Sequence, residues 1–188
     1  MDVIIRQAKP EDAVAAAPLI IDAIGEIADH LTGETISEKI IEGLIELFQR
    51  TDNRHSYLNT HVAELDGQVA GIMVTYGGDQ APELDHNLEN WLREKGATVP
   101  TIEIEARPDE FYIDTICASP NHRGHGIGTK LLQYADVAAK QKGYTKVSLS
   151  VEKEKVRARH LYEKVGYVYS EPWMIIGEEF DHLVKPLS

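Results

Sequence analysis

The stretch Arg123-Gly124-His125-Gly126-Ile127-Gly128 decides how the rest of this chain is read. Before it runs an apolar segment, Phe111 to Ala118, closed by Ser119-Pro120. After it, Ile127, Leu131, Leu132, Ala135 and Ala138 recur at helical spacing as far as Gln141. The pattern predicts a strand, a tight glycine turn and a helix. Glycines leave the backbone N–H groups of such a turn open to an anion. The helix behind adds its own free N–H groups and the positive end of its dipole. A turn of this kind binds phosphate, although a plain glycine-rich strand-to-helix connection is the alternative.

Known phosphate loops narrow the choice. A dinucleotide fingerprint has glycine where this chain has Thr129, and no G-x-x-x-x-G-K-[ST] loop is present. What is present is Arg-x-x-Gly-x-Gly, as Arg123, Gly126 and Gly128, behind Ile116-Cys117-Ala118-Ser119-Pro120. A second run, Arg157-Ala158-Arg159-His160-Leu161-Tyr162-Glu163-Lys164-Val165-Gly166-Tyr167, follows about thirty residues later. Together the two motifs resemble the acyl-CoA signatures of the GNAT superfamily of N-acetyltransferases. The resemblance is tight from Asp114 to Tyr169, loose at the N-terminus and absent over an insertion at about 78–110.

Composition is compatible with that. The 188 residues suit one domain, 1–188, carrying the insertion. No apolar run approaches the ~20 residues of a membrane span. Met1 to Arg6 lack a basic stretch followed by an apolar one, so no signal peptide is expected and the expected location is cytoplasmic. The lone Cys117 excludes an internal disulfide. Eight histidines show no H-E-x-x-H spacing, so no metal is expected. The net charge of −12 argues against nucleic acid as a partner. Yet Asn121 to Lys164 hold ten Lys/Arg against four Asp/Glu. A basic segment beginning at the glycine turn would favour a phosphorylated ligand; a solvated basic helix face is the alternative.

In chain order, Val3 to Gln7 reads as a strand and Pro10-Glu11-Asp12 as a helix start. Pro18 should kink or split that helix. Thr35-Ile36-Ser37-Glu38 has capping-box spacing and opens a second helix. Asp66-Gly67 between two apolar runs predicts a hairpin. Within the insertion, Leu84, Leu88, Trp91 and Leu92 suggest a helix closed near Gly96, and Thr101 to Glu105 a strand or extended loop. The insertion is a candidate lid or acceptor-site wall, or a peripheral decoration. Tyr144 to Val151 reads as a strand and Glu154 to Val165 as a helix. Tyr167 to Tyr169 and Glu179 to Val184 read as closing strands. The order predicts a mixed α/β fold, with helices on both faces of a mostly antiparallel sheet. The resemblance implies the GNAT fold, with six or seven strands and a splayed central strand.

The resemblance also implies roles. Acetyl-CoA would be the cosubstrate and a small-molecule or peptide amine the acceptor; a homodimer is a family-level expectation. Backbone N–H groups of Arg123, Gly124, His125, Gly126, Ile127 and Gly128 would hold the diphosphate, with Thr129 adding its hydroxyl. Pantetheine would pair with the open edge at Ile116, Cys117 and Ala118, where a freed N–H at Ile116 or Cys117 would face the thioester oxygen. Lys155 replaces the asparagine common in the family and can reach a phosphate, but it lacks the amide's two-way hydrogen bonding. Tyr162 would protonate the leaving thiolate, although spacing alone places it on an apolar helix face. Asp114, then Glu105, then Glu103 are the candidate bases, with a solvated or structural carboxylate as the alternative for each. In the resembled fold the first two helices and the closing hairpin wall the acceptor site. Here they carry Asp22, Glu26 and Asp29 on one helical face, with His30, then Trp173, Glu178 and Glu179. This suggests a cationic acceptor, with a solvated acidic face as the alternative. A non-catalytic acyl-CoA-binding module is the competing reading.

Overall fold

The structure, a computed structural model, describes residues 2–188. Seven strands and six α-helices are found among them: β1 (Ile4–Gln7), α1 (Ala13–Ile24), α2 (Ile27–Thr32), α3 (Ser37–Gln49), β2 (Thr60–Leu65), β3 (Gln68–Gly77), α4 (Ala81–Glu94), β4 (Phe111–Ala118), α5 (Ile127–Gln141), β5 (Lys146–Glu152), α6 (Val156–Lys164), β6 (Val168–Ile175) and β7 (Glu178–Pro186). The strands form one sheet in the order β1-β2-β3-β4-β5-β7-β6. Every neighbouring pair is antiparallel except β4 and β5. This is the predicted mixed α/β class, a mostly antiparallel seven-stranded sheet.

Alternation along the strands builds a core on each face. Val62 and Ile72 point to α1 and α3, where Ala16, Ile20, Leu44 and Phe48 are buried. Their neighbours Ala63 and Met73 point the other way, to Ile127, Leu131 and Ala135 of α5. At ~1.5–3 kcal/mol for each large apolar side chain fully buried, these two layers hold the sheet between its helices.

The central feature is where β4 and β5 stop pairing. Their register runs only through Phe111–Val147, Tyr112–Ser148 and Ile113–Leu149. On its other edge β4 pairs with β3 throughout, but the register slips between Val74–Thr115 and Thr75–Ile113. Asp114 is therefore an extra residue, a β-bulge. A bulge bends its strand and raises the local twist. Here it falls at the first residue beyond the last β4–β5 pair, so β4 turns away and a V opens between the strands.

Several sequence expectations need correction. Pro18 neither splits nor ends α1; it is exposed, and the carbonyl left without a donor belongs to exposed Val14, where water can serve it. The break comes at Gly25, at φ 55. Asp22, Glu26 and Asp29 consequently do not share one helical face. The Thr35–Glu38 capping box does not form, since Ile36 is the N-cap of α3 and no side chain caps it. Of the two readings of Thr101 to Glu105 the loop holds, since these residues join no strand. The closing hairpin is longer than predicted: β6 reaches Ile175 and turns at Ile176-Gly177, both at positive φ. Pro172 is accommodated because β6 is the sheet's edge.

Candidate active site

Ahead of α5, Gly124 and Gly126 hold φ of 82° and 71°, backbone that L side chains rarely adopt. The first intrahelical bond runs from Lys130 N–H to the Gly126 carbonyl at 3.0 Å. The amides of Ile127, Gly128 and Thr129 lie ahead of it, facing an open cavity of about 450 Å³ that Arg123 and Arg157 also line. Ile127 itself is buried in the core, so it can serve this cavity only through its backbone. Gly128 is small for a packing reason: a Cβ there would lie 3.3 Å from Leu161 of α6. His125 Nδ1, 2.9 Å from the His122 carbonyl, ties the loop down.

Arg123 and Ala118 also line the next cavity, about 350 Å³, which fills the V between β4 and β5. Ser119 N–H donates to the Ala70 carbonyl at 2.8 Å. Antiparallel alternation then turns the N–H groups of Cys117 and Thr115 to β3 and leaves those of Ile116 and Ala118 on the open edge. Of the two expected thioester-facing amides, Ile116 is the one on that edge.

Tyr162 lines the V from α6, its ring edge-on to Tyr167 at 6.1 Å. Burial, with Cys117 nearby, pushes its phenol up to about 12, so it stays protonated at neutral pH. Burial likewise pushes the Cys117 thiol up to about 11, the opposite of an activated nucleophile. Lys155 lines the V too, but its Nζ donates to the Ala23 carbonyl at 3.1 Å, tying the end of α1 to the start of α6.

The three candidate bases separate clearly. Asp114 accepts from Tyr76 Oη at 2.6 Å, Thr115 Oγ1 at 2.8 Å and Arg54 Nη1 at 3.2 Å. Burial works against its charge, but His55 and Arg54 beside it, with those hydrogen bonds, outweigh burial and hold the carboxyl below its ordinary range. A carboxylate so held is a weak base. Glu103 is exposed, and its Oε2 accepts the Ile176 amide at 3.1 Å, pinning the β6–β7 turn. Glu105 lines the V. Burial pushes it up to about 7, against the pull of Arg54. Of the three, Glu105 combines a place in the V with a carboxyl raised toward neutrality, whereas Asp114, first in the order suggested by sequence, is a firmly held anion.

Arg54 limits the rise at Glu105, and sequence reasoning missed it. Its side chain is only 2% exposed and sits among three carboxylates. It bonds Asp85 through Nε and Nη2 at 2.9 and 3.0 Å, Asp114 at 3.2 Å, and Glu105. One guanidinium cannot balance three buried anions, so a proton is favoured in the group. Tyr112 Oη also donates to Glu105, at 3.0 Å.

Beyond Ile24, Ile27, Glu152 and Ile175 the V opens into a wide mouth of about 720 Å³. Glu26, Asp29, Glu34, Glu152 and Glu178 line this mouth, and no lysine or arginine does. The insertion forms part of its wall and is clasped in place: His30 Nε2 lies 2.6 Å from the Thr101 carbonyl, and Trp173 Nε1 donates to the Ile104 carbonyl at 3.0 Å. Asp22 lines the V rather than the mouth, while Glu179 is ion-paired with Lys153. Among the described residues no cluster of His, Cys, Asp and Glu could hold a metal ion, and no helix is long and apolar enough to cross a membrane.

The model of the acetyltransferase (GNAT) family matches residues 24–167. The chain belongs to the GNAT acetyltransferase family. Solved acetyltransferase structures agree with that membership. An acetyltransferase structure is 31% identical, with a TM-score of 0.81, covering 98% of this chain and 100% of that one. An N-acetyltransferase from Staphylococcus aureus Mu50 is 26% identical, with a TM-score of 0.80, covering 96% and 99%. The PaiA N-acetyltransferase from Thermoplasma acidophilum, solved in complex with coenzyme A, shares the fold at 18% identity and a TM-score of 0.59, covering 99% of each chain. No curated protein sequence matches this GNAT chain.

Proposed function

We propose that this acetyltransferase moves an acetyl group from acetyl-CoA to a cationic primary amine, by direct attack through a tetrahedral intermediate. The observation that carries the reading is the continuity of three spaces. The amide cradle at α5 meets the V through Arg123 and Ala118, and the V meets the carboxylate-lined mouth through Ile24, Ile27, Glu152 and Ile175. A phosphorylated donor fits one end, a cation fits the other, and the two meet at the bulge.

The residues divide the chemistry. Amides of Ile127, Gly128 and Thr129 hold the diphosphate, and Arg123 and Arg157 add charge. The open edge of β4 orients the thioester, and the Ile116 N–H stabilises the developing oxyanion. Glu105 takes a proton from the incoming ammonium, which must be neutral to attack. Tyr162 protonates the departing thiolate. Carboxylates at the mouth raise the local concentration of a cationic acceptor.

Thiol release from acetyl-CoA across a panel of amines, with product masses, tests this. The reading expects amine-dependent release and acetylated product, with di- and polyamines preferred over neutral or anionic acceptors. Tight acetyl-CoA binding with no release for any amine would overturn it in favour of a binding module.

A further inference from the structure

A second buried hydrogen-bonded chain ends in the V, and none of the roles above uses it. Ser150 of β5 and His182 of β7 are directly opposed cross-strand partners. Ser150 Oγ lies 3.0 Å from His182 Nδ1, and His182 Nε2 lies 2.8 Å from Glu110 Oε2. His182 is fully buried and the Glu110 side chain is 2% exposed. Burial would raise the Glu110 carboxyl, but the His182 hydrogen bond, Ser148 and its other polar neighbours together leave it lowered, an anion. A carboxylate only accepts, so Nε2 must carry the hydrogen. With the ring neutral, Nδ1 is the bare acceptor and the Ser150 hydroxyl donates to it.

Position gives this chain a use. Ser150 is the first β5 residue past the last β4 pair, Ile113–Leu149, so it sits at the apex of the V and lines it. Val147, Leu149 and Val151 face α5, so Ser150 faces the opposite side, with the insertion. Trp173 lies 4.8 Å from the His182 ring and Tyr112 lies 6.3 Å from it. Tyr112 in turn bonds Glu105, and Glu171, the cross-strand partner of His182, is paired with Arg107.

Proton counting then asks for a second acceptor. An ammonium loses one proton before attack and a second after its nitrogen has bonded to the carbonyl carbon. Glu105 can take the first. Resting on the transfer reading, we propose that Ser150 is a catalytic residue that accepts the second proton, with His182 and Glu110 as its positioning residues. As the N–H bond of the tetrahedral intermediate breaks, Ser150 Oγ gains that proton and passes its own to His182 Nδ1. The imidazolium is held beside the Glu110 carboxylate. Tyr162 supplies the proton that leaves with the thiol and is reprotonated from solvent, while the imidazolium returns its proton through Ser150 to solvent, and these two exchanges cancel. Glu105 releases its own to water, so one proton is freed per ammonium acetylated.

The test compares wild type, Ser150→Ala, Ser150→Thr and Glu110→Gln, with acetyl-CoA and spermidine as the probe amine. The expected result is a kcat loss of about a hundredfold in Ser150→Ala, with the KM for spermidine little changed. Ser150→Thr should recover part of the rate. Heteronuclear NMR of the wild type should show His182 protonated at Nε2 and bare at Nδ1, and Glu110→Gln should disturb that tautomer. If wild type releases thiol and Ser150→Ala does so at the same rate and pH profile, this proposal fails alone. A wild type that never releases thiol with spermidine removes the transfer reading for this amine and the proposal with it. A His182 proton on Nδ1, or an acetyl group found covalently on Ser150, would also overturn it.

Discussion

Arg54 Nη1 donates to Glu105 Oε2 across the base of the V, joining the loop ahead of β2 to the extended segment ahead of β4. This pair sets both the shape and the protonation of the site. It anchors the insertion on the acceptor side, and it only partly offsets the burial that raises Glu105, because Arg54 is shared with Asp85 and Asp114.

Arg54→Met should therefore cost more than an ordinary core substitution. It would strand three buried carboxylates without their cation, and breaking such a pair costs about 3–5 kcal/mol. Denaturant titration at pH 7 should show the loss. The loss should shrink as pH falls and the carboxylates protonate.

On the proposed mechanism, Glu105 should control the acidic limb of activity. Its carboxyl is raised to about 7, so kcat should rise through that pH as the base ionises. Glu105→Gln should lower kcat about a hundredfold or more and abolish that limb. Stability moves the other way. Between the ordinary carboxylate range and pH 7 the unfolded chain has released this proton while the folded chain still holds it, so the native state loses stability as pH rises through that window. Glu105→Gln should remove this decline. A stability profile unchanged by the substitution would refute the assignment.

Tyr162→Phe should separate chemistry from binding. The phenol is protonated throughout the working range, so its loss should lower kcat by about 10²-fold. Acetyl-CoA affinity by calorimetry should be nearly unaffected. Equal losses in both would mark Tyr162 as packing only.

Gly126→Ala isolates the cradle's backbone. A Cβ there meets nothing within 4 Å, so the φ of 71° is the whole difficulty. Left-handed backbone costs an L residue about 1–2 kcal/mol, and relaxing it would misdirect the amides behind it. Coenzyme A binding should weaken about tenfold, with little change for an amine titrated alone.

The glycine turn, the Asp66-Gly67 hairpin and the α5 stripe were legible in the sequence because each is a local demand. Both Asp66 and Gly67 hold positive φ, and α5 buries its periodic residues. The Arg54 cluster was not legible. Its partners lie 31, 51 and 60 positions away, and no spacing rule joins them. Ser150, His182 and Glu110 were hidden for the same reason. Asp114 was legible as a site residue but not in its role, since only its partners reveal how firmly its charge is held. Pro18 misled because the cost of a helical proline depends on what its orphaned carbonyl faces, and that is set by tertiary structure.

The most direct test is a crystal structure with coenzyme A bound. The account predicts the diphosphate on the amides of Ile127, Gly128 and Thr129, the pantetheine along Ile116 to Ala118, and the sulfur within hydrogen-bonding reach of the Tyr162 hydroxyl. A cofactor bound outside the V, or a sulfur far from Tyr162, would contradict it.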